Sequence, residues 1–134
     1  MVGGVTIQDL RRTVAAEMEA LKPQGWEVSV DTNATIRAGL IHVGHVADVT
    51  YRTFCEVTFD LFVTLWVNEA EDVDAADHLY RLISPGEDSL LTSWYNTSTT
   101  EPGPPVVETV GAVPQGPTGF LAAVLRIPLQ LSQS

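Results

Sequence analysis

The segment from Tyr51 to Val67 restricts the possible folds more than any other part of the chain, because apolar and polar residues alternate along it. A period of two places one set of side chains on a buried face of a β-sheet and the other set on a mostly solvated face. The pattern predicts one long β-strand in which Cys55 is a small buried thiol. The apolar set occupies the odd-numbered positions Cys55, Val57, Phe59, Leu61, Val63, Leu65 and Val67.

A single strand from Tyr51 to Val67 would be roughly 55 Å long at the usual rise per residue. A compact domain of this length has a radius of gyration of only about 14 Å. Part of the strand should therefore project as a long β-hairpin arm, whose unpaired edges would need a partner. Two alternatives are a long twisted strand at the centre of the sheet and two strands separated by a bulge.

Helical periodicity is found on both sides of this segment. Near the N-terminus, Thr6 can cap a helix and Asp9 favours its positive end. Apolar residues then recur at spacings of three and four, which leaves Arg11 and Arg12 on the opposite, exposed face. The predicted elements are an N-terminal helix over 6–22, strands within 26–67, helices within 72–95, a flexible loop over 96–105 and C-terminal strands within 106–131.

The order of these elements predicts a single domain over 1–134 of the α+β class. Its mainly antiparallel sheet would have a long β-hairpin arm and two to three helices packed on one face. Between the first helix and the long strand, 26–31 and 36–43 are candidate strands, and 44–48 resembles a connection. Pro128 lacks a backbone N–H group, so we expect it to lie at a sheet edge or beyond it.

The charge of the chain excludes one class of function. The formal net charge is −10, and Lys22 is the only lysine. Proteins grip duplex DNA through Lys and Arg side chains that neutralise phosphates, and seven basic residues against seventeen acidic ones cannot form a continuous basic surface. An acidic surface instead suits a passage through which DNA slides without binding. No apolar run is long enough to cross a membrane.

The search for catalytic and metal-binding motifs points away from an enzyme. The sequence has no phosphate loop, no nucleophile elbow and no zinc-protease histidine pair. His42 and His45 are three residues apart and would point to opposite faces of a strand, which argues against a metal site with Cys55 or His78. We therefore expect no catalytic residues, no cofactor and no metal.

Acidic residues are the remaining candidates for a functional surface. Glu56 and Asp60 share one face of a strand at a separation of roughly 13 Å, which is too large for a catalytic carboxylate pair. They are either surface charges or partners for arginines on a neighbouring subunit. The acids that follow the long strand form either a solvated face or a repulsive channel lining. The candidate lumen or subunit-interface residues are Glu56, Asp60, Glu69, Glu71, Asp72 and Asp74.

Three stretches of the chain resemble the tail-terminator and tail-completion proteins of long-tailed, siphovirus-type phages, especially those that infect actinobacteria. They are Cys55–Val67 (CEVTFDLFVTLWV), Asp74–Tyr95 (DAADHLYRLISPGEDSLLTSWY) and Phe120–Leu131. In that family a long strand leads into an acidic-capped helix, a break such as Ser-Pro-Gly, a short helix and C-terminal strands. The polar, proline-rich segment 95–105 departs from the pattern of the family.

The resemblance implies a homohexameric ring that ends polymerisation of the tail tube and joins the tail to the head connector around a DNA channel. Its partners would be further copies of itself, the tail-tube protein and the head–tail connector protein, and DNA would pass without specific binding. Its location would be the tail or neck of the virion, after assembly in the host cytoplasm. The alternatives are a tail-tube subunit, another neck protein or, in a different class, a small enzyme or ligand-binding domain.

Overall fold

A computed structural model of the chain describes residues 5–31, 38–68, 73–86, 89–115 and 118–132. Helices and strands alternate irregularly along these ranges. Their order is α1 (Ile7–Leu21), β1 (Glu27–Ser29), β2 (Leu40–Thr53), β3 (Glu56–Asn68), α2 (Val73–Ile83), α3 (Leu90–Thr97), β4 (Val106–Gln115) and β5 (Thr118–Ser132).

The strands form a five-stranded mixed sheet in the order β1–β2–β3–β5–β4. The pair β1–β2 is parallel, whereas β2–β3, β3–β5 and β4–β5 are antiparallel. The most central strand, β3, therefore lies between its neighbour in sequence and the last strand of the chain. This arrangement confirms the predicted α+β class with a mainly antiparallel sheet.

The strand β3 divides its side chains between the two faces of the sheet, as the alternation predicts. Leu61, Val63 and Leu65 are 0% exposed and belong to the main hydrophobic core. The helices pack against the same face of the sheet, so the core lies between them and β3. The helical members of this core are Val14, Met18, Leu79, Leu82, Leu90, Leu91 and Trp94.

The single strand predicted from Tyr51 to Val67 is interrupted by a turn. Phe54 and Cys55 form this turn, and Thr53 pairs with Glu56 across it. The Cys55 N–H donates to Thr53 Oγ1 at 3.1 Å, and Cys55 is exposed, not buried as predicted. Because the chain reverses here, β2 pairs with β3 and satisfies backbone groups that a projecting segment would leave unpaired.

The described residues show no β-hairpin arm that stands apart from the sheet. The strand β3 pairs with β5 from Glu56 opposite Ser132 to Asn68 opposite Phe120. The strand β2 pairs with the other side of β3. Hydrogen bonding on both sides makes β3 a central strand, as one of the alternatives expected, but the strand begins at Glu56 and not at Tyr51.

The strand β2 begins later and continues further than the sequence predicts. Gly39 precedes its first residue with a φ of 76°, a conformation that glycine adopts with little strain. The predicted connection 44–48 lies inside β2, because β-bulges absorb the residues that would otherwise break the register. Of the predicted strand 36–43, residues 36 and 37 lie outside the described residues.

Arg11 is buried, with 8% of its surface exposed, although the helical periodicity places it on the exposed face of α1. Its Nε donates to the carbonyl of Gly44 at 2.7 Å. Its Nη2 donates to the carbonyls of Val30 at 2.9 Å and Val43 at 3.0 Å. These oxygens lie just after β1 and at a bulge of β2, where the ladder of backbone hydrogen bonds is disrupted. The guanidinium group therefore ties α1 to both strands.

The N-terminus of α1 is fixed by a capping box. The Asp9 N–H donates to Thr6 Oγ1 at 3.1 Å, and the Thr6 N–H donates to Asp9 Oδ2 at 2.9 Å. The hydrogen bond from the Thr6 backbone is the main cause that holds the pKa of the Asp9 carboxyl below its usual value of 3.8. The cap is therefore strongest while this carboxylate is ionised.

We expect the cap to make the stability of the chain depend on pH in the acid range. The pKa of Asp9 is lower in the folded state than in the unfolded state, so its contribution is present above the unfolded pKa and is lost as the pH falls through the folded pKa. Asp9→Asn should therefore lower the melting temperature more at neutral pH than at about pH 2. Thermal unfolding followed by circular dichroism measures this difference. An equal deficit at both pH values would contradict the assignment.

The C-terminal half agrees with the predicted order of elements and differs in detail. The helix α3 continues to Thr97, two residues into the predicted loop 96–105. The strand β4 pairs with β5 only as far as Arg126, so the β4 side of Pro128 is a sheet edge, as its missing N–H group predicts, while its other side faces Asp60 of β3. The carbonyl of Pro128 accepts a hydrogen bond from the Gly103 N–H at 2.9 Å, which anchors the preceding loop.

Candidate interaction surface

One face of the sheet has no helix packed on it in the described part of the chain, and we call it the open face. It consists of the even-numbered residues of β3 and the residues paired with them on β2 and β5. Aromatic and charged side chains are concentrated on it. The members that matter below are Glu56, Asp60, Phe62, Trp66, Phe120 and Arg126.

Phe62 lies at the centre of the open face, between a histidine and an arginine. The ring of His45 stacks on it at a centroid distance of 5.0 Å, and the Arg126 guanidinium lies 5.5 Å from its centroid. Arg126 Nε lies 2.6 Å from Glu108 Oε1, and Arg126 Nη1 lies 3.9 Å from Asp60 Oδ2. The central part of the face is therefore held by stacking and charge pairing within one chain.

A second apolar cluster lies towards the end of β3 that is far from the β2–β3 turn. The rings of Trp66 and Phe120 meet edge to face at 6.0 Å, and Leu40 and Ala122 complete the cluster. Trp66 is 9% exposed, and its buried Nε1 donates to no acceptor among the described residues. An indole N–H without a partner in a buried position is unfavourable by about 1–3 kcal/mol.

The predicted interface residues Glu56 and Asp60 lie on the open face with partners in their own chain. Glu56 Oε1 accepts from Gln130 Nε2 at 2.6 Å and lies 3.7 Å from Arg52 Nη1. Asp60 faces Arg126. Glu56 and Asp60 therefore face arginines of their own chain, Arg52 and Arg126, and not only arginines of a neighbouring subunit as the sequence allowed.

Of the other predicted acids, only Asp74 lies among the described residues, and it is not on the open face. Asp74 lies in the first turn of α2, on the helical side of the sheet, and is exposed. A carboxylate at this position is favourable for the helix dipole. Glu69, Glu71 and Asp72 lie outside the described residues. Of the six predicted residues, the structure therefore places Glu56 and Asp60 on the open face and Asp74 on α2.

The turn between β2 and β3 presents apolar side chains to solvent. We call the group Val49, Tyr51, Arg52 and Phe54 the β2–β3 tip. Phe54 is fully exposed, Tyr51 is 74% exposed and Val49 is 43% exposed. Two exposed aromatic side chains and an exposed valine therefore lie close together in sequence at this end of the sheet, and they make it a candidate contact site.

A groove opens on the helical side, at the opposite end of β3. We call it the helix groove, and its volume is about 1340 Å³. Trp26 and His78 meet across it, with ring centroids 5.6 Å apart. The residues that line it include Trp26, Val67, His78, Leu82, Ser84 and Leu90.

The two neighbouring histidines of β2 share a face, contrary to the sequence analysis. His42 pairs with Thr64, and His45 stacks on Phe62, so both lie on the open face. A β-bulge lies between them and shifts the alternation by one residue. His42 Nε2 lies 2.9 Å from the carbonyl oxygen of Asp31, so one of the two ring nitrogens of His42 already has a hydrogen-bond partner.

The residues considered for a metal site are dispersed in the structure. Cys55 lies in the β2–β3 turn, whereas His78 lies on α2 at the helix groove. Within the described ranges, no group of three or more His, Cys, Asp or Glu side chains is arranged to hold a metal ion.

The strand β4 forms one edge of the sheet. Its inner side pairs with β5, and no described strand pairs with its outer side. Val106 is 50% exposed and Val107 is 38% exposed on this strand. A β-bulge after Val107 interrupts its regular pairing, which limits edge-to-edge association of β-sheets.

Sequence reasoning missed Phe54 and Arg126 as surface residues of interest. Phe54 carried a signal, because it is an aromatic residue at a position that the alternation assigns to the solvated face. Arg126 carried none, since its position above Phe62 depends on the pairing of β3 with β5.

Comparisons with known proteins leave the family of the chain open. None of the helices in the described residues has the length and apolarity needed to cross a bilayer. No protein-family model matches the sequence, and no curated protein matches it significantly.

Proposed function

We propose that the chain is a structural subunit of a phage tail, which assembles into a ring at the head-proximal end of the tail. In this role it ends polymerisation of the tail tube and joins the tail to the head connector. It acts through shape and self-association and catalyses no reaction. The sequence resemblance to tail-terminator proteins supports the location of the ring, and the surface of the chain supports self-association.

The exposure of the β2–β3 tip is the observation that carries this proposal. Phe54 is fully exposed and Tyr51 is 74% exposed. Contact between water and two aromatic rings is unfavourable in an isolated chain. A partner that covered the rings would remove their apolar surface from water. A chain that functions as part of an assembly recovers this free energy.

The acidity of the chain supports the passage of DNA through the proposed ring. A formal net charge of −10 is repeated in every copy. A surface of this charge repels phosphates at a distance comparable with the Debye length, about 8 Å at physiological ionic strength. DNA would therefore move through the lumen without being held.

We expect the purified chain to form closed rings. Native mass spectrometry should give an integral multiple of the chain mass, with six copies as the multiple that the resemblance implies, and electron microscopy should show an open centre. Antibody labelling of virions of the phage that encodes the chain should mark one site, between head and tail. Labelling along the whole tail would favour a tail-tube subunit, and a chain that stays monomeric at about 100 µM and is absent from virions would refute the proposal.

A further inference from the structure

We draw no further inference here: the strongest candidate, the exposed aromatic patch that Tyr51 and Phe54 form at the β2–β3 tip, carries none, because nothing in the structure shows what covers it.

Discussion

Arg11→Ala is expected to lower the free energy of unfolding by about 3 kcal/mol. The side chain is 8% exposed and donates to the carbonyls of Gly44, Val30 and Val43. It also donates to Gln8 Oε1 within α1. Its loss would leave carbonyl oxygens at the bulge of β2 without donors, and a buried acceptor without a partner is more unfavourable than the original hydrogen bond was favourable. Urea unfolding measured at equilibrium gives the change.

Arg12→Ala is the matched control for this prediction. Arg12 is the neighbouring arginine on α1 and is exposed, so its removal should change stability by no more than about 0.5 kcal/mol. Arg11→Lys should be intermediate, because an ammonium group can donate to carbonyls but lacks the planar fork of the guanidinium. Equal stabilities of the Arg11 and Arg12 variants would show that water replaces the guanidinium at the bulge.

Glu17→Ala is expected to lower the free energy of unfolding by about 2 kcal/mol. Glu17 Oε1 accepts from Trp94 Nε1 at 3.1 Å and from Ser98 Oγ at 2.7 Å. Glu17 Oε2 accepts from the backbone N–H of Thr99 at 2.8 Å and from its hydroxyl at 2.9 Å. One carboxylate thus joins α1 to the end of α3, and its removal leaves the N–H group of the fully buried Trp94 without an acceptor.

Glu19→Ala is the control for Glu17, because it removes the same charge from the same helix. Glu19 is exposed and pairs with Lys22 at 2.6 Å, a surface ion pair of the kind that contributes about 0–1 kcal/mol. Trp94 also provides a spectroscopic reading, since loss of its hydrogen bond should shift its fluorescence in Glu17→Ala and not in Glu19→Ala. A Glu17 variant as stable as the Glu19 variant would contradict the role of this carboxylate.

The candidate surface was predictable only in part. The alternation along β3 correctly indicates that Glu56 and Asp60 share a face, because side-chain direction in a strand follows from sequence spacing alone. It does not indicate that Arg52 and Arg126 would pair with them, because these contacts depend on how the chain turns and on which strands meet. The helix groove is likewise invisible in the sequence, since it forms between segments that are distant along the chain.

The sequence by itself determined the local features of this protein. The period of two fixes which residues of β3 face the core, and Thr6 with Asp9 fixes where α1 begins, because both depend on neighbouring residues. Only the tertiary structure decided that Arg11 is buried and that Phe54 stands in a turn. Both outcomes depend on backbone hydrogen bonds between distant strands, which periodicity along one segment does not report.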